Sequence, residues 1–146
     1  MIISTKCQYA LRAVLEIARS GGGHIQTIGG IARAQNVPQR YLEGILNQLR
    51  KGGLLEAQRG RSGGYKLPKD AGDITVGQVV RLIDGPVRVA DEARSGRSRI
   101  AESDVFLPTW NKVQAAIDEA LDSTSFSELL RVESEERAKR SPSYVI

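Results

Sequence analysis

The chain has 146 residues, 40% apolar and 26% charged, which is one globular domain with room for an appended arm. Its single cysteine, Cys7, excludes an internal disulfide, and no apolar run approaches the roughly 20 residues that span a bilayer. The net charge of +4 is uneven: residues 1–80 hold 11 Lys/Arg against 5 Asp/Glu, and 81–146 hold 10 against 12. A basic first half calls for an anionic partner.

The opening, "MIISTKCQYA", shows no secretory signal, so a cytoplasmic protein with no membrane partner is expected. Thr5 to Gln8 reads as a T-x-x-Q capping box. Ala10, Ala13, Val14, Ile17 and Ala18 then recur at helical spacing up to the turn "SGGGH". A second helix begins after Thr27 with Ile28, Ile31 and Ala32. Gly29 and Gly30 weaken it by up to about 1 kcal/mol each, and Asn36 ends it. Pro38 opens a third helix whose apolar stripe is Leu42, Ile45, Leu46 and Leu49. "KGG" closes it. Leu54 to Arg59 reads as a strand, "GRSGG" as a turn, and Tyr65 to Leu67 as the return strand. Thr75 to Gln78 is a second capping box, followed by Val76, Val79, Val80 and Ile83 on one helical face.

Residues 86–104 show no periodicity and read as a flexible loop carrying Arg88, Arg94, Arg97 and Arg99. Those arginines could clamp an anion, touch phosphates or simply be solvated. Pro108 starts a long helix with the stripe Trp110, Val113, Ile117, Ala120 and Leu121. Ser125 with Glu128 caps a short final helix, and 132–146 is a charged tail expected to be disordered. The fold class is therefore mainly α with a small β-hairpin. A winged helix-turn-helix domain covers 1–85, and 105–131 holds the long helix and the short final helix.

The third helix buries one stripe and leaves Gln39, Arg40, Glu43, Asn47 and Gln48 on its free side. Arg suits guanine, Gln and Asn suit adenine, and Glu suits the cytosine amino group. The start of such a helix reaches bases, which selects Gln39, Arg40 and Glu43. Tyr41 either packs or bonds a phosphate. The hairpin tip, "RGRSGG", combines glycines that allow close approach with the charges of Arg59 and Arg61. It lacks the spacing of either nucleotide-binding glycine loop. With one histidine, one cysteine and no clustered carboxylates, no acid–base pair is available, so the chain is not expected to be an enzyme. A rival reading is a protein-interaction module whose winged domain binds a partner such as a metabolic enzyme instead of DNA.

Three stretches carry a resemblance: "STKCQYALRAVLEIA" at 4–18, "VPQRYLEGILNQLRKGGLLEAQRGRSGGYKL" at 37–67, and "DITVGQVVRLIDG" at 73–85. Together they resemble the Rrf-two family of bacterial winged-helix transcription regulators. The resemblance implies a homodimer joined by the long helix around Trp110, Val113, Ile117 and Leu121. It implies a palindromic double-stranded operator, and the reading that follows is a dimeric repressor. It also implies DNA contacts at Pro38, Arg40, Tyr41, Glu43 and Gly44 on the third helix, and at Arg59, Gly60 and Arg61 on the wing. Gly44 stands where a longer polar residue is frequent. The best-known members hold an iron–sulfur cluster by three cysteines in the loop after helix four. Here that loop has neither cysteine nor histidine, so no cluster, metal or other cofactor is expected. The signal could be a small molecule, a protein effector or oxidation of Cys7. At a helix start Cys7 reads as a thiol switch, or as a small residue packed in the core. His24, after "GGG", reads as a solvated turn residue.

Overall fold

The computed structural model describes residues 2–90 and 105–141. Helix α1 (Thr5–Arg19) is followed by α2 (Ile28–Gln35) and α3 (Gln39–Lys51). Strands β1 (Glu56–Gln58) and β2 (Gly64–Lys66) form an antiparallel hairpin in which Glu56 faces Lys66 and Gln58 faces Gly64. A short 3-10 turn (Ala71–Asp73) leads into α4 (Val76–Asp84), and α5 (Leu107–Asp122) and α6 (Phe126–Arg140) complete the chain. Helix, helix, helix, hairpin is the winged helix-turn-helix arrangement inferred above, mainly α with one small hairpin.

α1 is the hub. It buries Cys7, Ala10, Ala13, Val14, Ile17 and Ala18, and packs against α2, α3, α4 and α6. Its cap is Ser4 rather than Thr5: the Ser4 hydroxyl accepts the Cys7 N–H at 3.0 Å. Gln8 lies one place too far along for the box, and its amide donates to the Ile3 carbonyl instead. The second box forms as read, with Thr75 and Gln78 bonding reciprocally. Thr27 caps α2, and Asn36 ends it in the left-handed conformation at φ 52°. That bend drops Val37 into the core and turns the chain into α3. Pro38 sits just before the first helical residue, where its carbonyl accepts the N–H groups of Tyr41 and Leu42 at 3.1 Å each. Leu42, Ile45, Leu46 and Leu49 are buried, which leaves Gln39, Arg40 and Glu43 outward, whereas Asn47 and Gln48 are half-buried and Gln48 turns to the Leu82 carbonyl of the next helix.

The end of the chain adds to the core of the winged domain. Phe126 is fully buried in the main cluster beside Val14 and Ile74. The chain reaches it by pairing again with the start of α4: the Phe126 N–H donates to the Ile74 carbonyl and the Val76 N–H to Thr124. One expectation is corrected: the tail is not loose from residue 132, because α6 continues to Arg140. Charge is what extends it: Arg131 bonds Glu128 and Glu135, Arg137 pairs with Glu133, and Lys139 with Glu136, all at helical spacing. Arg19 of α1 holds Glu133 at 2.6 Å. Residues 142–146, and all of the loop beyond Ala90 with Arg94, Arg97 and Arg99, lie outside the described residues. No helix among the described residues is long and apolar enough to cross a membrane.

Candidate nucleic-acid interface

α3 and the wing expose the residues selected from the sequence. Pro38, Gln39, Arg40, Tyr41, Glu43 and Gly44 are all exposed. Of the two readings of Tyr41, packing is seen: its ring meets Tyr9 edge-on at 5.6 Å, and the residue stays 48% exposed. At the wing, Arg59, Gly60 and Arg61 are exposed. Gly60 adopts φ 111°, and its carbonyl accepts the Gly63 N–H at 3.0 Å, which closes the tip.

The glycines after the tip serve the fold as much as the interface. β2 pairs with Gln26, the residue before the α2 cap, through two 2.8 Å bonds between Tyr65 and Gln26. A Cβ on Gly64 would come within 2.2 Å of the Gln26 carbonyl oxygen. A Cβ on Gly63 would come equally close to the Gln58 carbonyl oxygen. The wing is thus fixed to the helix-turn-helix by a backbone crossing that only glycine permits.

An open groove of about 940 Å³ separates the start of α3 from the wing, bordered by Thr27, Gln39, Arg50, Gln58 and Arg59. Arg50 was not singled out from the sequence. Its guanidinium donates to the Asn47 side-chain oxygen at 2.8 Å. The i, i+3 spacing of Asn47 and Arg50 was the available signal.

Charge sorts the arginines. Arg19, Arg81 and Arg131 are neutralised by carboxylates. Among the described residues, Arg40, Arg59 and Arg61 have no ion-pair partner, as is also true of Arg12, Arg33 and Arg50, so the arginines of α3 and the wing are unpaired.

Cys7 follows the packed-core reading rather than the thiol-switch reading, and the long helix is not uniformly open. Cys7 is fully buried, and burial, then the nearby Asp84 carboxylate, push its thiol up to about 11. The helix start does not make it a thiolate. On α5, Trp110 and Val113 are exposed, whereas Ile117 and Leu121 are half-buried, so the four dimerisation candidates do not form one uniformly open stripe. Phe106 stacks on Trp110 and extends the open apolar surface at the start of the helix. His24 is an exposed turn residue.

The comparisons with known proteins agree with this geometry. A family described as "Rrf2: Iron-dependent Transcriptional regulator" matches residues 3–132. The HTH-type transcriptional regulator CymR of Bacillus subtilis is 32% identical over 129 residues, covering 88% of this chain and 89% of that protein. The solved structure of CymR (YrzC), the global cysteine regulator of B. subtilis, superposes with a TM-score of 0.77 at 31% identity, covering 88% of this chain and 95% of that one. The structure of T. potens IscR superposes at 0.71 with 29% identity, covering 99% and 95%.

The family description implies iron, and the donors among the described residues do not fit it. The one thiol is buried and held protonated, and the one histidine lies on an exposed turn. Among the described residues no three His, Cys, Asp or Glu side chains come together in a way that could hold a metal ion. Helix-turn-helix geometry, a wing of unpaired arginines and a match over most of the length therefore converge: this chain belongs to the Rrf2 family of DNA-binding transcription regulators.

Proposed function

We propose that the chain is a cytoplasmic homodimeric repressor that reads a palindromic operator with two copies of α3 and works without an iron–sulfur cluster. The observation that carries the reading is the triad of unpaired arginines, Arg40 on α3 and Arg59 and Arg61 on the wing, beside an open groove. Gln39, Arg40 and Glu43 read base edges in the major groove. Arg59 and Arg61 grip the backbone, with Gly60 and Gly44 allowing close approach and Pro38 and Tyr41 lying against the flanking phosphates. Covering an operator competes with polymerase, which is the simplest route to repression. The second copy is the occupant of the apolar surface on α5, because two linked heads are what a palindrome requires.

Selection of bound sequences from a random DNA pool tests this. The expected result is an inverted repeat whose binding weakens steeply with salt. Arg59→Ala weakens binding to every sequence, whereas Arg40→Ala also relaxes base preference, by roughly 1–3 kcal/mol at one position of each half-site. Recovery of no motif, or equal losses on operator and random DNA for both variants, removes the assignment.

A further inference from the structure

α4 stands between the reading helix and the long helix, and it is fastened to both. Toward α3, the Gln48 amide donates to the Leu82 carbonyl at 3.3 Å. Gly52 lets the Leu82 side chain lie across the end of α3, since a Cβ there would come 2.4 Å from Leu82 Cδ2. Toward α5, Arg81 grips two carboxylates one turn apart. Its Nη1 lies 2.5 Å from Asp122 Oδ1, and its Nη2 lies 3.1 Å from Asp122 Oδ2 and 3.3 Å from Asp118 Oδ1. Gly77, one turn before Arg81, is buried under this grip. A Cβ on it would come 2.3 Å from Asp122 Oδ1, 2.8 Å from Arg81 Nη1 and 3.3 Å from the Leu121 carbonyl carbon. The contact therefore has one tight point without a side chain and one fork beside it.

The grip continues along α5. Gln114 Nε2 lies 3.3 Å from both Asp118 oxygens and 2.7 Å from the Val87 carbonyl, and Gln114 Oε1 accepts the Val89 N–H at 3.0 Å. Asp118 is thus held from two sides, and the chain leaving α4 is tied to the same helix face.

We propose that Arg81 is a positioning residue for DNA recognition: its fork on Asp122 and Asp118, over the gap left by Gly77, sets the angle between α4 and α5 and so the half-site spacing that the dimer accepts. The inference rests on the dimeric-operator reading above. α3 rides on α4 through Leu82, so a tilt of α4 on α5 moves the reading helix. In a palindrome the two reading helices must sit about one helical turn of DNA apart, so an angular change in each head appears as a change in accepted spacing. Arg suits the task because its planar fork fixes direction as well as distance, which the point charge of Lys does not. The pair is part-exposed, so its contribution is to geometry far more than to stability.

The test uses the full chain and a library of inverted repeats that differ only in spacer length, with the half-site taken from the pool selection. Wild type, Arg81→Lys, Arg81→Ala and Asp122→Asn are compared. Wild type is expected to prefer one spacer. Arg81→Ala and Asp122→Asn are expected to reduce that preference by about three- to thirtyfold while keeping the dimer and the half-site sequence. Arg81→Lys keeps the charge and is expected to fall between. The inference is overturned if the folded, dimeric variants keep the wild-type spacing preference. It is equally overturned if they lose affinity by the same factor at every spacing, which is what a merely structural role does. A wild type that is monomeric or indifferent to spacing overturns the dimeric-operator reading and this inference with it. Loss confined to the variants leaves that reading standing.

Discussion

Ser4 and Asp84, 80 residues apart in sequence, close the start of α1 onto the end of α4: the Ser4 N–H donates to Asp84 Oδ2 at 2.9 Å and its hydroxyl donates to Asp84 Oδ1. The same hydroxyl accepts from the Cys7 N–H, so a carboxylate is held beside the buried thiol. Burial and that negative charge both oppose the thiolate and raise the thiol from 9.0 to about 11. The native protein is therefore expected to resist iodoacetamide and peroxide at neutral pH and to react only when unfolded. Because the folded value is the higher one, the stabilising effect of the neutral thiol is complete below pH 9 and is lost as the pH rises to about 11. Wild type should lose stability relative to Cys7→Ala over that interval. Rapid stoichiometric labelling of the native protein, with a change in operator affinity, would restore the thiol switch.

Phe126 makes the second prediction. It is fully buried in the winged-domain core although it lies after the long helix. Phe126→Ala should cost about 3–5 kcal/mol in urea unfolding, since large-to-small changes at closed core sites lose both burial and packing. A midpoint shift typical of a surface position would show that 1–85 closes its core without α6.

These two residues mark where sequence legibility ended. The stripe of α3, the Thr75–Gln78 box, the end of α2 at Asn36 and the hairpin are local patterns, set by residues close in sequence, and each could be read directly. The exposed residues at the start of α3 followed from the same periodicity, and those of the wing from the glycines and charges of the hairpin tip. The return of Phe126 to Ile74 and the Arg81 grip on Asp122 join distant segments, and no spacing announces such contacts. α6 was misjudged for a different reason. Its last turns have almost no apolar stripe, and the i, i+3 and i, i+4 ion pairs that support them look like bare polarity when only hydrophobic period is followed.

Glycine and arginine in the wing should separate cleanly. Gly64→Ala puts a Cβ against the Gln26 carbonyl and should lower stability by about 1–3 kcal/mol as the crossing opens. Arg61→Ala touches no partner among the described residues, so its unfolding midpoint should stay within about 0.5 kcal/mol of wild type. Its DNA affinity should nonetheless fall, with the salt slope reduced by about 1. Measuring both variants by thermal melting and by fluorescence anisotropy against salt checks the division. An Arg61→Ala protein that melts early but binds normally contradicts it.

The apolar surface of α5 makes the last prediction. No residue of this helix is buried, and Phe106, Trp110 and Val113 lie open at 61%, 41% and 38% exposure. In the proposed dimer this apolar surface is where the second copy docks, because contiguous exposed apolar surface is typical of association sites. Val113→Glu places a charge in it without touching the core, so the fold should survive while the dimer dissociates, seen as a halved mass in sedimentation. DNA affinity should then fall by about 10²–10⁴, because each head must bind its half-site without the other to hold it nearby. The same variant should bind an isolated half-site as wild type does, since α3 and the wing lie on other elements. If Val113→Glu stays dimeric with operator affinity unchanged, the second copy docks elsewhere, and the open face of α5 needs another occupant.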